Sequence, residues 1–154
     1  MTDSQQFNDV LVIAEAGVNH NGDLETAKKL VEVAAKAGAD YVKFQTFSAE
    51  TLATAEATQA EYQRRSNPVG AVNQLEMLRK LELSNEEHVE LIGHSEKNGI
   101  RFLSTGFDVG SLDLLFSLGV RLFKIPSGEL TNYPYLIHVA SLQCPVILLS
   151  LIHI

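Results

Sequence analysis

Residues 10–46 read VLVIAEAGVNHNGDLETAKKLVEVAAKAGADYVKFQT. Two apolar runs, 10–17 and 40–46, enclose a stretch in which Leu24, Ala27, Leu30, Val31, Ala34 and Ala35 fall on one stripe of a helix. Asp23 stands where an N-cap belongs and Gly38 where the helix must stop. The runs are almost continuously apolar instead of alternating, the pattern of strands buried on both faces of a parallel sheet. The stretch therefore predicts a strand-helix-strand unit.

The same rhythm continues toward the C-terminus. Apolar runs recur as IRFLSTG at 100–106, VRLFKIPSG at 120–128 and CPVILLS at 144–150. The segment 84–99 opens with a Ser84-x-x-Glu87 capping box, keeps Val89, Leu91 and Ile92 apolar and ends at Gly99, so it predicts a second helix. Shorter helices are expected at 108–118 and 132–142. Residues 48–83 are too long for a strand-to-helix loop and read as an insertion after the second strand, with a short helix in NQLEMLRKLEL. Parallel strands joined by right-handed crossovers leave two α/β architectures, an open doubly wound sheet or a (β/α)8 TIM barrel. Neither Gly-x-Gly-x-x-Gly after the first strand nor Gly-x-x-x-x-Gly-Lys-Ser/Thr occurs, so the nucleotide-binding open sheets lose support and the barrel is preferred.

Composition narrows the function classes. With 154 residues, 45% of them hydrophobic and 20% charged, the chain can build a core. A net charge of -7 argues against nucleic acid or an anionic membrane as partner, because both need a basic surface. Any anionic substrate must be held by locally placed lysines. The single Cys144 excludes an internal disulfide, and MTDSQQFNDV has neither a basic region nor an apolar run of signal-peptide length, which predicts a cytoplasmic location. PVILLSLIHI is too short to span a bilayer.

Polar residues gather at the C-terminal ends of four runs: Glu15 with Asn19 and His20, Lys43 with Gln45, Ser104 with Thr105, and Lys124 with Ser127 and Glu129. Parallel α/β folds place their sites at that edge. Alternation along a strand puts Lys43 and Gln45 on one face, with Val42, Phe44 and Thr46 on the other, and sets Lys124 opposite Phe123 and Ile125. Two lysines in buried strands call for an anion, with Thr105 and Ser127 as hydroxyl donors and Glu15 and Glu129 as an acid-base pair or a grip on sugar hydroxyls. The competing reading is a purely structural ion pair, for instance Lys43 with Glu15.

Other residues carry less. His20, His88, His94, His138 and His153 lack metal-ligand spacing and read as solvated or core-edge side chains, His88 and His94 on a surface helix; no metal site is assigned. Arg64 and Arg65 beside Tyr62 read as a solvated pair in the insertion, and Cys144 as a small packed hydrophobe.

IAEAGVNHNGDLETAKKLVEVAAKAGADYVKFQTF, EYQ with QLEMLRKLELS, RFLSTGFD and FKIPSGELTNYPYL, in that order, resemble the N-acetylneuraminate (sialic acid) synthase family and its legionaminic and pseudaminic acid relatives, from about Val12 to about Leu149. The resemblance implies a TIM barrel followed by an antifreeze-protein-like domain, a domain-swapped homodimer and a divalent metal, Mn2+ or Mg2+, whose histidine ligands lie on later strands. It implies condensation of phosphoenolpyruvate with N-acetylmannosamine or a related amino sugar, with release of phosphate. Lys43, Thr105, Lys124 and Ser127 match positions that bind phosphoenolpyruvate, Glu15 and Gln45 positions that face the sugar, and Glu129 a position that supports them.

Two departures stand out. Gly106 replaces a proline frequent in relatives, and after VILLS the family continues into a Thr-Gly-Met loop and further βα units where this chain reads Leu151-Ile152-His153-Ile154. On that reading residues 1–154 are the N-terminal four to five βα units of the barrel and the last residues are foreign. A half-barrel with open edges should associate or aggregate and should lack synthase activity by itself. The alternative from another class is a non-catalytic phosphate- or sugar-binding half-barrel.

Overall fold

The computed structural model describes residues 10–53 and 73–151. Strand β1 (Ile13–Gly17) leads through helix α1 (Leu24–Lys36) to β2 (Tyr41–Thr46). Helices α2 (Ala49–Leu52), α3 (Gln74–Arg79) and α4 (Asn85–Lys97) precede β3 (Arg101–Gly106). Then come α5 (Val109–Ser117), β4 (Phe123–Ile125), a 3-10 turn (Ser127–Glu129), α6 (Tyr133–Ser141) and β5 (Val146–Leu148). All five expected strands and four principal helices form, and α3 occupies the expected short helix. The start of the expected insertion also turns into helix at α2; Tyr62, Arg64, Arg65 and residues 152–154 lie outside the described residues.

Local chemistry explains the boundaries. The Asp23 carboxylate accepts from the Thr26 N–H at the start of α1, and Gly38, at φ 78°, takes the left-handed backbone that ends it. At α4 both arms of the capping box are present: the Ser84 N–H donates to Glu87 at 2.7 Å and the Glu87 N–H to the Ser84 hydroxyl at 3.2 Å. Asp108 caps α5 through the Ser111 N–H and also accepts from the Ser48 N–H, which fastens the β2 exit to the β3 exit.

Every strand pairing is parallel. β1, β2 and β3 form one sheet in sequence order and β4 and β5 form a second pair, with β4 lying beside β3. A doubly wound sheet reverses its strand order at a switch point; here the order advances one strand at a time in each sheet. Helices α1 and α4 cover one face, burying Ala27, Val31, Ala34 and Leu91 against Val42 and Phe44. Phe44 stacks on Phe102 with ring centroids 5.6 Å apart. On the opposite face Tyr41, Leu103 and Leu122 form a separate apolar layer joined by Ile13 and Ile147. Residues at the next inward-facing level are Glu15, Lys43, Thr105 and Lys124.

One helix sits differently from expectation. Val89 is 56% exposed and His88 only 1%, so α4 turns His88, Leu91 and Ser95 inward. His88 is thus a buried residue, not a solvated one. Its Nδ1 donates to the Ser84 carbonyl and its Nε2 accepts from the Thr46 hydroxyl, both at 2.8 Å, while Thr46 and Ser104 share a 2.7 Å bond. A buried hydroxyl on the helix-facing side of β2 needs a partner, and that need overrides the apolar preference for Val89.

Candidate active site

The cluster at the C-terminal strand ends begins with register. Glu15 of β1 lies opposite Lys43 of β2, and Gln45 of β2 opposite Thr105 of β3. Lys43 is only 9% exposed, yet its ammonium reaches the Glu15 carboxylate at 2.5 Å and the Thr105 hydroxyl at 3.3 Å. Half of the Glu15 side chain remains open to solvent, so the pair is not sealed in the core.

Lys124 enters from β4, between the buried Phe123 and Ile125. Its pKa is pushed below the ordinary lysine value, first by burial and then by the like charge of Lys43, with Glu15 acting in the opposite sense. Lys124 makes no hydrogen bond or ion pair among the described residues. The cluster therefore holds two ammonium groups against one carboxylate, and the excess positive charge faces the end of the strands where ligands bind in parallel α/β folds.

A register shift between Glu15 and Gly17 shapes the neighbouring side of the cluster. Gly17 has φ 56°, and a Cβ placed on it would lie 3.1 Å from Glu15 Oε1 and 3.6 Å from Gln45 Nε2. The carboxylate and the amide are thus packed over Gly17, where a side chain would meet Glu15.

The remaining expected residues stand one turn further on. Ser127 and Glu129 lie on the 3-10 turn after β4, both half-buried, and the Glu129 carboxylate accepts from the Asn132 side-chain amide at 2.6 Å. Glu129 is thereby tied to the start of α6. Gly106 ends β3 against α5: its Cβ would meet Leu112 Cδ2 at 3.0 Å, and its carbonyl accepts from the buried Tyr135 hydroxyl at 2.7 Å. Burial raises the Tyr135 pKa to about 12, which keeps that donor protonated.

Three further histidines lie among the described residues, and the buried Nε2 of one of them, His20, has no hydrogen-bond partner there. His20 is fully buried beside Phe44, its Nδ1 accepts from the Gly22 N–H, and burial lowers its pKa. His94 and His138 contact Glu32 and Asp113. Among the described residues no three histidine, cysteine or carboxylate side chains converge on a point that could hold a metal ion. The described residues do not make the metal site that the resemblance implies. Cys144 is half-buried against the α5–α6 core, as a small hydrophobe would be. No helix among the described residues is long and apolar enough to cross a membrane.

Known proteins resemble this chain in sequence and in fold. The chain is 56% identical to the N,N'-diacetyllegionaminic acid synthase of Legionella pneumophila over 89% of its length and 54% identical to that of Campylobacter jejuni over 90%. It spans 38% and 41% of the length of those relatives. The crystal structure of N-acetylneuraminic acid (sialic acid) synthetase from Leptospira borgpetersenii superposes with a TM-score of 0.77 and 33% identity, covering 92% of this chain and 44% of that one. That agreement extends to the parallel α/β arrangement of the strands that carry the cluster. The NeuB family profile matches residues 30–151, well over half of the chain, and the chain belongs to that family.

Proposed function

We propose that the protein condenses phosphoenolpyruvate with an N-acetylated amino sugar to give a nonulosonic acid and phosphate, and that this chain supplies the first units of the (β/α)8 barrel that does so. The observation that supports this most is the charge imbalance, Lys43 and Lys124 against Glu15 alone. A small substrate bearing two anionic groups, a phosphate and a carboxylate, answers two lysines better than a neutral sugar can.

In this reading Lys43 and Lys124, with the Thr105 and Ser127 hydroxyls, hold phosphoenolpyruvate, while Glu15 and Gln45 face the sugar and Glu129 braces the turn below them. C3 of phosphoenolpyruvate forms the new bond to the aldehyde carbon of the open-chain sugar, whose oxygen takes up a proton. Water adds at C2, giving a tetrahedral intermediate, and cleavage of its C2–O bond to phosphate leaves the 2-keto acid. The lysines contribute by countering negative charge on the phosphate and carboxylate throughout. A divalent metal, Mn2+ or Mg2+, and a homodimer belong to the same proposal; donors for the metal are not among the described residues.

The amino sugar is proposed to carry two acetamido groups. Identity of 54–56% to two N,N'-diacetyllegionaminic acid synthases, against 33% to a sialic acid synthetase, supports that choice over N-acetylmannosamine. The test is phosphate release by the intact gene product with phosphoenolpyruvate and either sugar, with the product identified by mass. Turnover with the diacetamido sugar is expected. A melting point that rises with phosphoenolpyruvate while no sugar yields phosphate would replace the synthase by a non-catalytic binding module.

A further inference from the structure

We infer that Asn132 is a positioning residue for the proposed reaction: one end of its side-chain amide caps helix α6 and the other end holds the Glu129 carboxylate. This inference rests on the proposed synthase reading and adds a residue that reading does not use.

The two bonds come from different atoms of one group. Asn132 Oδ1 accepts from the Tyr135 N–H at 3.3 Å, which is the N-cap bond of α6, and Asn132 Nδ2 donates to Glu129 Oε2 at 2.6 Å. Among the described residues no other donor reaches that carboxylate, so Glu129 Oε1 is left to a ligand. An amide combines an acceptor with a donor, and a carboxylate in its place would keep only the first.

The amide itself stands on a fixed base. The Asn132 carbonyl accepts from the Leu136 N–H, Pro134 sets the first turn of α6, and the buried Tyr135 hydroxyl donates to the Gly106 carbonyl at 2.7 Å. Gly106 directly follows Thr105 on β3. A chain of hydrogen bonds therefore runs from the end of β3 through Tyr135 and Asn132 to Glu129, whose own backbone belongs to the three-residue turn after β4. A carboxylate held through one oxygen presents the other in a single direction, whereas a released one spreads over several rotamers.

Capping alone would make a different prediction. Aspartate caps a helix as well as asparagine does, and glycine only slightly less well. Neither Asn132→Asp nor Asn132→Gly should therefore disturb α6 much. Both remove the donor to Glu129, and Asn132→Asp also sets a second carboxylate against it, which favours a proton on the pair. The titratable groups around the turn, Lys124 on β4, Tyr135 on α6 and Asp108 at the start of α5, are the same in every variant. A changed pH profile thus reports on residues 129 and 132.

The experiment is steady-state kinetics on the intact gene product and both variants between about pH 6 and 9, alongside their melting temperatures. Both variants should melt within about 3 °C of wild type. Their kcat/KM for the amino sugar should fall on the order of tenfold, as small misplacements at a reacting centre do. Asn132→Asp should in addition move the pH at which activity rises upward by about one unit. Wild-type rates and pH profiles in both variants, or a loss of activity that only follows a loss of melting temperature, would overturn the inference while leaving the synthase reading in place. A wild-type protein without turnover on any N-acetylated amino sugar would remove both.

Discussion

The two faces of β2 differ more than their shared backbone suggests. On the helix-facing side Val42 and Phe44 are fully buried, and Thr46 bonds to both His88 and Ser104. On the other side Lys43 pairs with Glu15, Lys124 lies near both without an ion pair among the described residues, and Gln45 is packed over Gly17. Alternating residues of one six-residue strand thus belong to a finished core and to the proposed site. A polar group buried for stability has its partners inside the fold. A polar group left short of partners at the functional end of a strand marks where a ligand supplies them.

If that contrast is right, changes on the two faces should separate activity from stability. The largest effect is expected at Lys124. Lys124→Met in the intact gene product should lower kcat/KM for phosphoenolpyruvate on the order of 100-fold, as removal of a charge-stabilising donor does. Its melting temperature should not fall, because methionine removes an ammonium that burial disfavours. A variant that loses stability and activity in parallel would make Lys124 a structural residue and collapse the comparison.

His88→Ala tests the other face. It removes a buried ring and the bond to Thr46, and should cost about 2 kcal/mol of stability in chemical denaturation. Activity per folded molecule should be unchanged. A fall in kcat with wild-type stability would move His88 from the core to the site.

The smallest effect is in pH. Burial lowers the pKa of both His20 and His88 from 6.5, so the folded state resists a proton that the unfolded chain accepts. Their contribution is complete above 6.5 and is lost as pH falls below that value, by at most about 1.4 kcal/mol per pH unit for each ring. Denaturation measured between about pH 7.5 and 6, above the carboxylate range, should show this decline, and His88→Ala should make it shallower. An unchanged slope in that variant would assign the whole effect to His20.

Much of this was legible in the residues themselves. Continuous apolar runs marked the strands, and Asp23, Ser84 with Glu87, and Gly38 marked helix ends, because capping and left-handed termini depend on one or two neighbours. Alternation placed Lys43 and Gln45 on one face of β2 and Lys124 between Phe123 and Ile125. The helix rotation was not legible. Val89 looked like the buried residue, yet Thr46, forty-two positions before His88, decided the matter by needing a partner.

The sequence by itself determined the elements, their order and the side of each strand on which a residue falls, since these follow from periods of 2 and 3.6 residues within a single segment. Distance between segments was left to the tertiary structure. Glu15 could have neutralised either lysine or neither; the register of β1 on β2 gave it to Lys43 and left Lys124 short of charge. The bulge at Gly17 did the same for Gln45, joining an acceptor and a donor from different strands over one glycine. Such relations depend on how strands pack and where their pairing shifts, which a local pattern of residues does not encode.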